Sequence, residues 1–444
     1  MSAPGSHAPV PAKAAGSDPG ADSPLAAFGA GLDRSLARGL RRLTESALGP
    51  YQSAIVRIGF SLTWLLYLLR EFPHRDELYG PDSPWGLDLA RRIIAGSHAF
   101  SALMWSDSRG WFELVYALAI VASATLLLGW RTRTSALLFM LGVLSLQNRS
   151  VFMGDGGDNV VHIMAIYLVF TRCGQVWSLD SRRAAKAART DADADAGGDD
   201  GAIDQARASL DPVGVALWTV LGAALIAATL AGKLTAGWGL IFWGFWGGQA
   251  VWWAVRRYAP GEPRTVLDII ANIVHNGAML VIAAEVCLIY STAGWYKIQG
   301  SRWQDGTALY YPLHLDDFTP WPALSHLLAG SDIMVMLITY GTVIVQVGFP
   351  FTLFNRRVKN VLLCVMIVEH ASIAILLGLP FFSLAMIAAD AVFLPTGFLL
   401  WAGGRAAGLL GPKRPAAEAV TPDVIPGGGA TQPAVGPPPP STVS

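Results

Sequence analysis

Two uninterrupted apolar runs, LVYALAIVASATLLLGW (114–130) and VMLITYGTVIVQVGFPFTLF (335–354), constrain this chain more than anything else in it. Each is close to the roughly 20 residues that a helix needs to cross a bilayer core. Lipid offers no hydrogen bonds, so such segments fold as helices that satisfy their own backbone. Comparable runs recur along the sequence. Only 14% of the 444 residues are charged, against about a quarter in soluble domains. The reading is an all-α integral membrane protein, a polytopic bundle of about ten transmembrane helices. Its spans are expected at 52–69, 111–130, 134–147, 158–172, 214–232, 237–255, 266–296, 332–354, 360–378 and 381–402. The zero net charge argues against a nucleic-acid partner and leaves the lipid bilayer as the first one.

The remaining segments flank or interrupt this domain, which is expected over 51–405. Residues 1–24 lack the apolar core of a signal peptide and are expected to be a disordered tail, as is 406–444. Over 25–50, Leu32, Leu36, Leu40 and Leu43 recur at helical spacing opposite Arg34, Arg38, Arg41 and Arg42, which predicts a basic amphipathic helix on the membrane surface. A disordered acidic linker is expected over 181–212. Its Asp191, Asp193 and Asp195 resemble the start of a calcium loop, but Ala202 stands where the bidentate Glu would be needed. Cys173, Cys287 and Cys364 show no metal-ligand spacing and read as buried small hydrophobes, and no metal is expected.

Basic residues orient the spans. With the N-terminus in the cytoplasm, the inner set (Arg34–Arg42, Arg131/Arg133, Arg172–Arg189, Arg256–Arg264, Arg356–Lys359, Arg405–Arg414) holds twenty Lys and Arg and the outer set nine. The positive-inside rule selects that arrangement, with both termini cytoplasmic in the plasma (inner) membrane.

Ionisable side chains at membrane depth are costly and face the bundle interior. Arg57, Glu113, His162, His275, Glu285, Glu369, His370 and Asp390 are of this kind. Each reads either as a functional group or as a bond between helices. Three arrangements carry more. On the seventh span Asp268, Asn272, His275, Tyr290 and Lys297 fall on one face. Lys297 ends that stripe, as a site residue or as a lysine snorkelling to headgroups. His370 and Asp390 lie ten residues before and after the turn at Leu379–Pro380, which puts them at equal depth in an antiparallel pair. There the carboxylate would orient the imidazole, or the two would form a structural bond. The loop NRSVFMGDGGDN (148–159) offers Asp158 or Asn159 as a helix cap, or glycine backbone for an anion.

The stretches YSTAGWYKIQGSRWQDGTALYYPLHLD (290–316), NRSVFMGDGGDNVVHI (148–163), QVWSLD (175–180) and EHASIAILLGLPFFSLAMIAADAVFLP (369–395) resemble the HTTM family. This is the horizontally transferred transmembrane domain of vitamin K-dependent γ-glutamyl carboxylases and of many bacterial membrane proteins. The resemblance covers about 45–402, with AGWYK followed by RWQDG its most specific part. It implies that Lys297 is the base taking a proton from a reduced quinone, vitamin K hydroquinone in the carboxylases. It implies for His370 the stabilisation of the oxygenated quinone. Oxygen, carbon dioxide and a glutamate side chain would then give carboxylated product and quinone epoxide. A lysine is a base only when neutral, the form that an apolar site favours. Tyr290, His275, Asp158 and Asn159 would line the substrate side. Tyr296 precedes Lys297 where eukaryotic carboxylases carry a second lysine, and Asp158-Asn159 stand in place of an Asn-His. The Ala/Gly/Arg-rich linkers suggest a bacterium of high GC content, hence menaquinol. The carboxylases carry a large extramembrane domain after the helices that captures the protein substrate, and this sequence departs from that pattern; a peptide substrate or a small secreted peptide is the partner that the resemblance implies. The alternative is a non-enzymatic accessory protein or carrier that serves maturation or export of a peptide or lipid.

Overall fold

The structure, a computed structural model, describes residues 24–197, 211–259 and 261–410, and the described residues are helical with no strand. Among the described residues fifteen helices have eight or more residues: α1 (Pro24–Glu45), α2 (Pro50–Glu71), α3 (Leu87–Ser97), α4 (Arg109–Leu128), α5 (Thr132–Arg149), α6 (Gly156–Leu168), α7 (Leu179–Gly197), α8 (Pro212–Leu230), α9 (Ala236–Tyr258), α10 (Glu262–Gln299), α11 (Pro322–Ala329), α12 (Asp332–Gly348), α13 (Arg356–Leu376), α14 (Pro380–Asp390) and α15 (Thr396–Leu410). The described residues up to Leu399 form one compact unit, and those from Leu400, the end of α15, belong to a second. Of the tails expected at 1–24 and 406–444, residues 1–23 and 411–444 lie outside the described residues, as does the linker segment 198–210, while Pro24 opens α1 and residues 406–410 continue α15.

Among the described residues six helices are long and apolar enough to cross a membrane: α2 with its extension to Tyr79, α4, α8, α10, α12 and α13. The expected count of ten is not reached on that measure, for local reasons. Helix α6 has 13 residues, about 20 Å of helix against a core of roughly 30 Å. The expected last span, 381–402, is broken. Helix α14 ends at Asp390, Leu394 is extended ahead of Pro395, and α15 starts afresh. Proline pushes the residue before it out of the helical region and supplies no N–H of its own. The acidic linker expected to lack structure begins as α7. Of the three thiols expected to be buried, Cys364 is exposed.

Glycine and alanine let the helices meet closely. A Cβ on Gly59 would stand 2.5 Å from that of Ala388, locking α2 to α14, and one on Gly142 would stand 2.9 Å from that of Ala119, locking α5 to α4. Two buried arginines staple this body without a carboxylate. Arg57 is fully buried and donates to the carbonyls of Leu126 (2.5 Å), Leu127 (2.8 Å), Trp177 (2.7 Å) and Cys173 (3.2 Å). Two of these close the C-terminus of α4, where a cation also meets the negative end of the helix dipole. Arg149, equally buried, gathers the carbonyls of Gly80 and Trp85 and the Ser83 hydroxyl, each at 2.8 Å.

Helix α8 is tied to the start of α5 by the Arg131 fork on Asp211. That hydrogen bond holds the Asp211 carboxyl below the usual range. The folded-state value is the lower one, so the contribution is present above the pKa of unfolded aspartate and lost as pH falls through the folded value. It is expected to be small, because the Asp211 side chain is half exposed.

Candidate functional site

The polar stripe on α10 serves two different regions. Its first half clasps the end of α1. Asn272 donates to the Thr44 carbonyl at 2.9 Å, and Asn276 donates to those of Leu43 and Ser46, also at 2.9 Å. The Asn276 carbonyl oxygen accepts the Leu48 N–H at 2.7 Å. His275 is buried between backbone groups, accepting the Arg172 N–H at Nδ1 (2.8 Å) and facing the Leu48 carbonyl with Nε2 (2.9 Å). Accepting at Nδ1 places the ring proton on Nε2, where Leu48 takes it. Both ring nitrogens are thus used in fastening the α1–α2 connection. His275 stands fifteen residues, about 22 Å of helix, from Tyr290.

The second half of the stripe enters a buried polar cluster. Tyr290, His370 and Asp390 come from α10, α13 and α14 and are at most 2% exposed. The Tyr290 hydroxyl lies 3.0 Å from His370 Nε2 and donates to Asp390 Oδ2 at 3.0 Å. The direct Asp390–His370 bond expected from their equal depth is not formed, because tyrosine from a third helix stands between them. A phenol has one proton. With it given to Asp390, His370 must donate from Nε2, which leaves Nδ1 as a bare acceptor. Both His370 Nδ1 and Asp390 Oδ1 are buried without a hydrogen-bond partner. Apolar rings surround the cluster: Phe349 beside Tyr290 at 6.0 Å, Phe382 beside His370 at 5.6 Å, and Phe393 against Phe349 at 5.1 Å.

Beside it runs a second polar chain. Half-buried Lys297 donates from Nζ to Gln346 Oε1 at 2.6 Å, and Gln346 Nε2 donates to Glu369 Oε1 at 2.7 Å. Glu369 precedes His370 on α13, so the two chains sit on consecutive residues. The motif around Lys297 builds this geometry locally. Gly294 lets α10 approach α12, since a Cβ there would stand 2.4 Å from a Val347 methyl carbon. Gly300 ends the helix, and the chain returns Trp303 to within 5.2 Å of the Lys297 ammonium as a cation–π partner. In the loop beyond, the Thr307 hydroxyl and amide hold the Asp305 carboxyl below its usual range.

Asp158 and Asn159 lie elsewhere, at the start of α6. The cap there is Asp155, which accepts from the N–H groups of Gly157 and Asp158. Asp158 returns the bond to the Asp155 N–H at 2.9 Å, completing a capping box, and Asn159 is exposed. The anion place at this helix start is thus filled by the chain's own carboxylate. The glycines have a packing role: a Cβ on Gly157 would come within 2.5 Å of the Phe382 backbone. Among the described residues no cluster of three or more His, Cys, Asp or Glu side chains could hold a metal ion. Comparison with protein-family models, curated proteins and solved structures finds no match to this chain.

Gln346 was not singled out from the sequence, and Glu369 appeared there only as one ionisable residue among eight. A glutamine in VIVQVGF carries little signal by itself. The i, i+1 step from Glu369 to His370 was the available clue, because adjacent polar residues on one apolar helix must serve different neighbours.

Replacing Tyr290 by Phe removes the donor to Asp390 and the acceptor for His370. The bundle is expected to lose about 1–2 kcal/mol, the upper range for bonds between membrane helices, measured as a shift in the detergent unfolding midpoint. An unchanged midpoint would mean that water replaces the hydroxyl and that the cluster is wet.

Proposed function

We propose that this chain is a multi-pass HTTM-type membrane protein that works on a reduced quinone, with Lys297 as base and His370, held through Tyr290, accepting a quinol hydroxyl at its bare Nδ1. One observation carries this reading: His370 Nδ1 and Asp390 Oδ1 are buried acceptors lacking any donor. An unsatisfied buried acceptor costs about 1–3 kcal/mol. A ligand that brings a hydroxyl removes that cost, and a quinol has hydroxyls where an oxidised quinone has only carbonyl acceptors. The residues therefore fit the reduced cofactor.

A reduced quinone bound here would supply the electrons for oxygen chemistry. The chain's own groups do the rest. In its neutral form Lys297 Nζ takes a proton, while Gln346 fixes the direction of the amine. Glu369, on the far side of that amide, balances the charge that the amine then carries. Tyr290 sets the tautomer of His370 and aims Nδ1 away from itself. Phe349, Phe382 and Phe393 keep water from the cluster, as a strong oxygen base requires. The substrate class is a small acidic peptide.

The test is to incubate purified protein with menaquinol, oxygen, labelled bicarbonate and an acidic peptide, and to look for quinone epoxide by mass spectrometry. Epoxide is the expected product. Its absence with peptide present would overturn the enzyme reading in favour of an accessory protein or carrier.

The same proposal places the chain in the plasma membrane with its N-terminus in the cytoplasm, supported by the skew of Lys and Arg between alternate connections. Single cysteines at positions 82 and 316, in a background lacking the three native thiols, are expected to react with an impermeant reagent on intact cells. Cysteines at 195 and 359 are expected to stay unlabelled, and labelling at 359 would mean a missed or extra span before it and the opposite orientation for the later spans.

A further inference from the structure

A second region of the bundle, remote from the Lys297 cluster, has a built shape and no assigned use. A cavity of about 460 Å³ opens between α5, α8, α9 and α10. Its walls are almost wholly apolar, including Leu137, Leu141, Leu225, Phe242, Phe245 and Val274. Lining residues run from Arg133 to Leu141 on α5 and from Phe242 to Trp252 on α9, so the cavity extends about 12–15 Å along the helices. That is the dimension of an extended alkyl chain lying parallel to a membrane helix.

Polarity is confined to one end. Arg133, Thr171, Gln249 and Trp252 all lie there, at the beginning of α5, after the end of α6 and in the last turns of α9. The Arg133 guanidinium is exposed and lies over the Trp252 ring, 4.1 Å from its centroid. Among the described residues no carboxylate is within ion-pair distance of it. Arg172 and Arg256 are close enough to repel it, while Asp268 and Asp180 are the acidic groups nearby. Both carboxylates are engaged. Asp268 faces Arg172 at 3.6 Å and Arg264 at 4.0 Å, and Asp180 takes the N–H groups of Arg131 and Thr132 together with the Arg183 guanidinium. The end of an alkyl-sized cavity thus carries positive charge that the chain itself does not neutralise.

We propose that this cavity binds a membrane phospholipid with an anionic headgroup, one acyl chain lying between α5 and α9 and the phosphate held by Arg133. The inference is independent of the chemistry at Lys297 and needs only that the helices lie in a bilayer. Planar guanidinium matches phosphate with two parallel hydrogen bonds, and its stacking on Trp252 leaves the donor edge free for them. A zwitterionic lipid fills the same apolar walls but leaves the Arg133 charge uncompensated.

Tryptophans on the wall make the test direct, because Trp105, Trp246 and Trp252 line the cavity. The full chain in a non-ionic detergent is titrated with phosphatidylglycerol or phosphatidylcholine carrying brominated acyl chains, and quenching of tryptophan fluorescence is followed. Half-maximal quenching is expected at a several-fold lower mole fraction of phosphatidylglycerol, with the difference shrinking as salt is raised. Arg133→Gln is expected to abolish the preference. Gly248→Phe fills the cavity from α9, where an added Cβ meets nothing within 4 Å, so the helix tolerates it. That variant is expected to lose the lipid-specific part of the quenching for both lipids while keeping the wild-type unfolding midpoint. Equal quenching by the two lipids in wild type would overturn the proposal, as would a preference that survives Arg133→Gln. Displacement of both brominated lipids by menaquinone with no dependence on Arg133 would also overturn it and assign the cavity to a neutral isoprenoid.

Discussion

Replacing Lys297 by alanine is expected to lower epoxide formation by about 10²–10⁴-fold, the range that a positioned general base contributes. Arginine at this position is expected to fail nearly as badly, since a guanidinium remains charged and cannot accept a proton. The geometry makes a graded series available. Glu369→Gln keeps a side chain of the same shape beside Gln346 but removes the negative charge. It is expected to reduce the rate less than loss of Lys297 and to move the pH–rate profile, because the amine and the carboxylate interact through one amide. Gln346→Leu separates the two and is expected to make the Glu369 substitution nearly silent. If Lys297→Ala turns over at the wild-type rate, Lys297 serves only as a partner for Gln346 and Trp303, and another group must be the base.

The second large effect is structural. Arg57→Met is expected to destabilise the bundle by about 3–5 kcal/mol, comparable to removing one partner of a buried charged pair. Methionine matches the stem but leaves four carbonyls, those of Leu126, Leu127, Cys173 and Trp177, without the fork that now reaches them. Arg57→Lys is expected to recover only part of the loss, since an ammonium on one stem cannot span all four. Arg75→Met is the comparison. Its ion pair with Glu113 at 2.8 Å lies at a partly exposed position, and its loss is expected to cost no more than about 1 kcal/mol. Unfolding midpoints in mixed micelles measure both. Equal shifts for Arg57 and Arg75 would mean that the carbonyls around Arg57 find water.

The helices were legible in the sequence because apolar runs in a chain this poor in charge admit little else. The break at Pro395 was not, since the short Pro-Thr-Gly step is smoothed out by a window average over its apolar flanks, which cannot see one missing N–H. The equal depth of His370 and Asp390 followed from counting outward from Leu379–Pro380. Counting within a hairpin says nothing about how a third helix is rotated against it, so the insertion of Tyr290 between them was hidden. The α10 stripe misled in the opposite way. Residues on one face of a 38-residue helix share a direction, but Asn272 and Lys297 are about 38 Å apart along it and meet different neighbours. Asp158 and Asn159 of the glycine loop were read as cap candidates from their closeness to the apolar run. Asp155 takes the role because a capping box needs its two side chains three residues apart, and Asp155 and Asp158 are so spaced.

Helix α10 is also a strut. One end is gripped through Asn272, His275 and Asn276 by the chain leaving helix α1, and the other carries Tyr290 and Lys297. An unbroken helix transmits displacement along its axis with little compression, because every turn is bonded to the next. The position of the α1–α2 connection and the placement of the amine about 30 Å away are therefore mechanically linked through one helix.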